Sequence, residues 1–442
     1  MAIKSRRDVL KFVRDNEIPF IQIWFTDILG YLKGFSITAD ELEGALTDGM
    51  GFDGSSIEGF ARIHESDMIA LPDPLTFQLL PWNNGQLPVA RMFCDVLTPD
   101  GQHFEGDPRY VLKRAIQKAA DLGYKYYIGP ELEFFVLKND QFPEPIDSAG
   151  YFDTRPADLG APIRKDMVIN LQKVGIQVEY SHHEVAPSQH EIDLRYDEAL
   201  VMADKTMTYR AVVKETARQK GYYASFMPKP LYGENGNGMH THQSLFRGSK
   251  NEFFDENDPF FLSKTAKGYL AGLLRHAREY TAVTNQWINS YKRLIPGYEA
   301  PVYTAWARRN RSAMIRVPMY KPGTENATRI ELRSPDPACN PYLAYALMLC
   351  AGLKGIKENY ELPDPVERDI YEMSAKERAE HNIGILPGNH FEAVQELENS
   401  EFAKEVLGEH VFHNFIENKK IEWEEYCTHV SKYEIDKYYP LL

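Results

Sequence analysis

The sequence predicts an α+β fold made of a small N-terminal sheet unit and a larger unit with a mainly antiparallel sheet. Three observations carry that prediction. Apolar residues alternate or run together at strand length in many places, as in "FIQIWFT", "HEIDLR" and "GMHTHQSL". Longer segments with helical periodicity lie between them, so helices and strands alternate along the chain. A run of turn formers, "TPDGQHFEGDP", separates two zones and puts the domain division at 1–103 and 104–442.

In the first zone, "SRRDVLKFVRDNE" reads as an amphipathic helix with Val9, Leu10, Phe12 and Val13 as its buried stripe. Strands are expected over "FIQIWFT" and "YLKGFSI", a short helix near "ADELEGALTDG", and a glycine-rich loop over "GMGFDGSSIEGF". Further strands are expected at Met68–Leu71 and Val89–Val96. Asp107 followed by Pro108 is an N-cap and first helical position, opening a helix that stops before Gly123. In the second zone, strands are expected over "YKYYIGPELEFFVL", "IQVEYS", "HEIDLR", "YYASFMP" and "GMHTHQSL". Helices are expected over Asp197–Lys220, Leu262–Thr281 and Pro341–Lys357. No internal repeat or low-complexity tract is present.

A formal net charge of −14 over 442 residues argues against nucleic-acid binding by a general basic footprint. It leaves room for a locally basic site that takes an anionic substrate. Cys94, Cys339, Cys350 and Cys427 are far apart, which implies neither a disulfide framework nor a zinc ribbon. "MAIKSRRDVLKF" lacks the apolar core of a signal peptide and no run has the length of a membrane span, so a cytoplasmic setting without membrane contact is the expectation.

The chemistry lies on the strands. Glu131 and Glu133 in "PELEFF" are two residues apart and project from one face of a strand. An isolated E-x-E pair is usually a solvent-facing edge. This one sits in an aromatic, core-like strand, where two unpaired carboxylates repel and a cation between them removes the cost. His240, His242 and Ser244 share a face in "GMHTHQS". Glu184 and Glu191 flank Pro187 in "SHHEVAPSQHE", and Glu331 sits between Arg329 and Arg333 in "RIELRSPDP". A donor set of carboxylates with an imidazole and no thiolate suits Mg²⁺ or Mn²⁺ better than zinc. Arg308, Arg309, Arg311 and Arg316 supply positive charge in "WARRNRSAMIR". Such a run is most often a solvated face, yet guanidinium beside a divalent-ion site favours phosphoryl transfer. There is no GxxxxGK[ST] loop, and the GxG at Gly236–Gly238 precedes a strand, so neither the P-loop nor the Rossmann fingerprint applies. The residues by themselves read as a metal-dependent, phosphate-handling enzyme with an unusual nucleotide site.

"FDGSS", "ESDM", "PELEFF", "HHEVAPSQHE", "KPLYGENGNGMHTHQS", "NSYKRLIPGYEAPVYTAWARRNRSAMIRVP" and "RIELRSPDPACNPYLA" occur in order, and together they resemble type I glutamine synthetase from about residue 15 to the end. The resemblance implies a β-grasp-like N-terminal domain, a catalytic domain with a curved sheet, and a dodecamer of two stacked hexameric rings with active sites between subunits. It implies ATP-dependent ligation of ammonia to the γ-carboxylate of L-glutamate through a γ-glutamyl phosphate, with two or more Mg²⁺ or Mn²⁺ ions per site.

Carried over by motif, Glu133, Glu184 and Glu191 are similar to the ligands of one ion, and Glu131, His240 and Glu331 to those of a second that engages ATP. Asn235, Gly236, Arg293 and Arg333 match glutamate-binding positions. Arg311 and Arg316 match the grip on the transferred phosphoryl group, and Glu179, His242 and Ser244 match nucleotide positions. Glu299 matches a flap carboxylate that accepts a proton. Asp53, contributed by a neighbouring subunit, matches the ammonium-binding carboxylate, with Asp67 close behind it in motif order. The histidines at 182, 183 and 190 are expected around the ligands rather than on the ion. Arg62 matches the arginine used for feedback inhibition by glutamine in the shorter branch, with an interface loop contact as the alternative. Tyr371 stands nearest to the adenylylated tyrosine of another branch, but its surroundings depart from that pattern and the modification is not expected. A small regulatory protein is left open as a partner. Two other readings compete: a ligase joining glutamate to a larger amine such as a polyamine, and a non-catalytic relative. Intact Asp53 and Glu299 weigh against the first, and the six intact candidate ligands against the second.

Overall fold

Strand-forming residues in the first hundred positions build one sheet, and those after residue 124 build another. The computed structural model describes residues 3–55, 57, 59, 67–82, 87–297, 300–310 and 312–442. Arg62, Glu299 and Arg311 lie outside the described residues.

The N-terminal sheet contains β1 (Phe20–Thr26), β2 (Leu32–Thr38), β3 (Met50–Asp53), β4 (Asp67–Pro72), β5 (Gln78–Leu79) and β6 (Val89–Leu97). Their order is β2-β1-β6-β4-β3, with β5 beside β6, and the β1–β6 pair is parallel. Helices α1 (Arg6–Asp15) and α2 (Leu42–Asp48) cover one face. Ile21, Ile23 and Phe25 of β1 share a core with Val9 and Val13 of α1 and Leu42 of α2. Trp24, from the opposite face of β1, and Phe93 of β6 belong instead to the main core. Alternation along one strand therefore bonds the small unit to the large one. The expected glycine-rich loop needs correction: its Met50–Asp53 portion is β3, paired with β4. Gly51 had hidden the strand pattern.

The second sheet runs β17-β14-β15-β16-β12-β7-β9-β8. Its strands are β7 (Lys125–Leu137), β8 (Val178–His183), β9 (Gln189–Leu194), β10 (Asp197–Glu198), β11 (Tyr223–Ser225), β12 (Met239–Arg247), β13 (Lys250–Asn251), β14 (Tyr303–Ala307), β15 (Ala313–Arg316), β16 (Ile330–Leu332) and β17 (Gly384–Ile385). The β14–β15 pair is parallel and the other pairs are antiparallel.

Helices α3 (Pro108–Asp121), α4 (Ala161–Lys173), α5 (Ala199–Gln219), α6 (Lys264–Arg275), α7 (Ala277–Thr284), α8 (Ser290–Arg293) and α9 (Pro341–Lys357) follow, then α10 (Ala375–Glu380), α11 (His390–Glu398), α12 (Glu401–Leu407), α13 (Glu409–Thr428) and α14 (Lys432–Tyr438). Asp107 caps α3 by accepting from Arg109 N at 2.9 Å, as its sequence context requires. The helix expected over Leu262–Thr281 is two helices that break at His276. No helix is long and apolar enough to cross a membrane, among the described residues.

Candidate active site

The site grows out of strand register. In the β7–β12 ladder His240 stands opposite Glu131, and in the β12–β16 ladder His242 stands opposite Glu331. Arg316 of β15 also faces Glu331. On the other side of β7, Glu133 pairs with Glu191 of β9, which pairs in turn with His182 of β8. Side chains that alternate along six strands therefore meet on one face of a curved sheet.

Most of them line a cavity of about 430 Å³. Its walls include all six expected ligands (Glu131, Glu133, Glu184, Glu191, His240 and Glu331), together with Asn235, Gly236, Arg293, Arg316 and Arg333. His242, Ser244, Glu179 and Asp53 do not line it. Ser244 is buried further along β12. Glu179 lies where the β8–β9 register shifts, and is exposed. Asp53 ends β3 opposite Asp67, in the N-terminal sheet, and its carboxylate accepts from Ser55 N at 2.8 Å.

The ligand groupings differ in detail from the expected ones. Donor atoms of Glu131, His242 and Glu331 lie within 4.8 Å of one another, and so do those of His182, Glu184 and Glu191. His240 Nδ1 is 3.3 Å from Glu131 and 3.9 Å from Glu331, so it reaches the same two carboxylates. Glu133 stands slightly apart: its Oε2 accepts from Gln189 Nε2 at 2.9 Å and from Gly238 N at 2.8 Å. His182, expected only to surround the ligands, is 3.4 Å from Glu184 and 3.8 Å from Glu191. The other two histidines do sit behind. His183 lies 3.1 Å from Asp147, and His190 lies 2.8 Å from Arg164, whose guanidinium also donates to Asp158 at 2.7 Å.

The turn that brings Glu184 and Glu191 together is held from within. Glu184 N donates to Gln189 O at 2.7 Å, and Ser188, at φ 62°, accepts from Ile146 N at 2.7 Å through its hydroxyl.

Electrostatics show how crowded the wall is. Burial, then the charges of Asp193, Glu133 and Glu131, push the Glu191 carboxyl well above its usual range. Burial also acts to raise Glu131, but His242 and His240 hold it well below that range. Glu331 is fully buried; Arg333 Nη1 donates to it at 2.7 Å, and Arg316 Nε donates to its other oxygen. Arg293 directs its guanidinium to the carbonyls of Ser334 at 2.7 Å and Pro335 at 3.2 Å, fixing the segment that follows Arg333. Buried carboxylates this close, with imidazole and no thiolate among the donors, fit a hard divalent cation. Asp193, which adjoins Glu131 and Glu191, was missed at the sequence level, although "HEIDL" alternation puts it on the same face as Glu191.

A cavity walled by carboxylates and lined by arginines, on a mainly antiparallel sheet, fits the class of enzymes that act on anionic substrates with the help of a divalent cation. The family model for "Glutamine synthetase, catalytic domain" matches residues 105–438, and that for "Glutamine synthetase, beta-Grasp domain" matches 17–99. The chain is 51% identical to the glutamine synthetase of Methanosarcina mazei over 99% of this chain and 98% of that one. It is 51% identical to that of Thermotoga maritima over 97% and 98%. Among solved structures, a GmaS–ADP complex superposes with a TM-score of 0.90 at 31% identity, covering 98% of this chain and 99% of that one. Glutamine synthetase of Plasmodium falciparum superposes with a TM-score of 0.89 at 26% identity, over 99% of both chains. The chain belongs to the glutamine synthetase family, in its type I branch.

Proposed function

We propose that the cavity is where this chain makes glutamine, and that the expected site residues take the following roles. The chain is an ATP-dependent ligase of glutamine biosynthesis, joining ammonia to the γ-carboxylate of L-glutamate with release of ADP and phosphate. The observation that carries the assignment to this cavity is the convergence of Glu131, Glu133, Glu184, Glu191, His240 and Glu331 on one wall.

A carboxylate is a poor electrophile and a poor leaving site, so the γ-carboxylate is first phosphorylated by ATP. Glu133, Glu184 and Glu191 hold one divalent ion, and Glu131, His240 and Glu331 a second. Mg²⁺ or Mn²⁺ bound there would neutralise phosphate charge and polarise the oxygens that react. Arg316 and Arg311 grip the transferred phosphoryl group. Arg333 has a buried Nε without a hydrogen-bond partner among the described residues, which supports a part in holding the anionic substrate with Arg293, Asn235 and Gly236. Glu179, His242 and Ser244 serve the nucleotide. Ammonium is not nucleophilic until it loses a proton. Asp53 of the partner subunit binds it and takes that proton, and Glu299 closes over the acyl phosphate to exclude water. The exposed position of Asp53 in the N-terminal sheet, away from this cavity, supports service to a neighbouring site. The working form is thus a homo-oligomer of two hexameric rings, with 1–103 and 104–442 as its units and Arg62 as the glutamine-sensing arginine.

Phosphate release from ATP, Mg²⁺ and glutamate, compared among ammonium, ethylamine and putrescine, tests the reading. Ammonium is expected to be strongly preferred. A preference for putrescine would replace ammonia with a larger amine, and no release with any amine would refute ligase activity. Glu133→Ala is expected to abolish synthesis while ring assembly persists in light scattering; wild-type turnover in that variant would remove Glu133 from the site.

A further inference from the structure

Asp193 has no part in the roles above and does not itself line the cavity, yet it lies against two carboxylates that do, Glu131 and Glu191. It follows Glu191 by two residues on β9 and stands directly opposite Glu131 in the β7–β9 ladder. Carboxylate oxygens of Glu131, Glu191 and Asp193 all lie within 4.8 Å of one another. Asp193 is only 4% exposed; no hydrogen bond of normal geometry reaches its buried oxygens among the described residues, and the groups closest to offering one are the Tyr180 hydroxyl and the Glu191 carboxyl.

Its neighbours are provided for differently. Glu131 has His240 and His242. Glu133 has Gln189 and the Gly238 amide, and Glu331 has two arginines. Tyr180, which faces Asp193 from β8, is a neutral donor and cannot offset three carboxylates. A buried carboxylate beside two others, with no arginine or lysine against it, is costly unless a proton is retained among them or a cation from solution joins them.

We propose that Asp193 is a further cation-binding carboxylate of this site, bridging the two ion positions served by Glu131 and Glu191. The inference rests on the metal assignment above. It adds that the two positions are coupled through one side chain. Removing the charge then has two opposite effects: the cation-free protein is relieved of repulsion, and cation binding weakens. A residue that only packs or only holds Tyr180 produces neither pattern.

The test uses the full chain with Mn²⁺ as the probe and no ATP, reading Tm with and without Mn²⁺ and Mn²⁺ affinity by calorimetry. Asp193→Asn is expected to melt at or above the wild-type Tm without Mn²⁺, to gain less Tm on adding it, and to bind Mn²⁺ about tenfold to a hundredfold more weakly. Tyr180→Phe is expected to keep wild-type Mn²⁺ affinity. Asp193→Ser repeats the measurement if the asparagine variant does not fold. Wild-type affinity and an undiminished Tm gain in the Asp193 variants overturn the proposal, as does a lower cation-free Tm with unchanged Mn²⁺ response. If wild type itself neither binds Mn²⁺ nor gains Tm, while Glu131→Gln behaves identically, the metal assignment fails and this inference with it.

Discussion

Glu331 concentrates the chemistry of the site in one side chain. It is fully buried, bonded by Arg316 and Arg333, and within reach of His240 and His242. Replacing it with glutamine keeps the shape but removes the charge that balances both arginines, so Glu331→Gln is expected to weaken Mg²⁺-dependent ATP binding at least tenfold, measured by calorimetry. His390 offers a test away from the site. It opens α11, stacked near Trp423 at 6.2 Å, and burial pushes its imidazole down to about 4. A depressed folded value means that the fold favours the neutral ring. That contribution is present above the unfolded value, about 6.5, and is lost as pH falls toward 4. Tm is therefore expected to drop on going from pH 7 to pH 5, and His390→Gln to show a smaller drop. At this scale much was legible. Glu131, Glu133, Glu184, Glu191, His240 and Glu331 were singled out from alternation and motif, and all six line one cavity; strand period accounts for the five that lie on strands, whereas Glu184, just past β8, came from its motif. His182 was not assigned to the wall, because its proximity to the carboxylates depends on cross-strand register, which no local pattern encodes; Asp193 was overlooked although alternation puts it beside Glu191.

The elements show where local signals suffice and where they fail. Pro341–Lys357 was read to the residue, since proline at the first position and a long apolar run leave little choice. The break at His276 carries no glycine or proline, so one helix was expected where α6 and α7 meet. The C-terminal helices α10 to α14 were not anticipated; several are short, and α10 and α14 bury no residue to mark a stripe. Packing of α6 on α9 depends on close approach. A Cβ on Gly272 would sit 2.0 Å from the Ala351 carbonyl oxygen, so Gly272→Ala must push the helices apart. A loss of about 1–3 kcal/mol is expected, read by denaturant unfolding. In the β8–β9 turn, Ser188→Ala deletes the acceptor for two amides, Ile146 N and Asp147 N, and is expected to cost about 1–3 kcal/mol. Its larger effect should be on divalent-ion affinity, since the same turn positions Glu184 and Glu191.

At the scale of the whole molecule, the two sheets are joined by buried polar contacts as well as by Trp24 and Phe93. Arg109 of α3 bridges Asp73 and Asp95, from the N-terminal unit, to Asp204 of α5 at 2.8, 2.6 and 3.0 Å. Asn340, the cap of α9, donates to the carbonyls of Asp27 at 3.0 Å and Ile28 at 3.2 Å. Arg109→Met removes the shared cation, leaving Asp95 with Lys113 and Asp204 with only the Tyr342 hydroxyl, and is expected to destabilise by about 3 kcal/mol, with both units melting together because the contact spans them. Turn residues near 103 gave the expected division, and the strands up to Leu97 and from Lys125 on do form separate sheets. This seam was not legible, because it joins positions far apart in sequence. The claim that unites the scales is that the carboxylate wall serves to activate the γ-carboxylate of glutamate by phosphorylation. Glutamate labelled with ¹⁸O in that carboxylate tests it most directly. One labelled oxygen is expected in the released phosphate for each glutamine formed, and glutamine formation with unlabelled phosphate would contradict it.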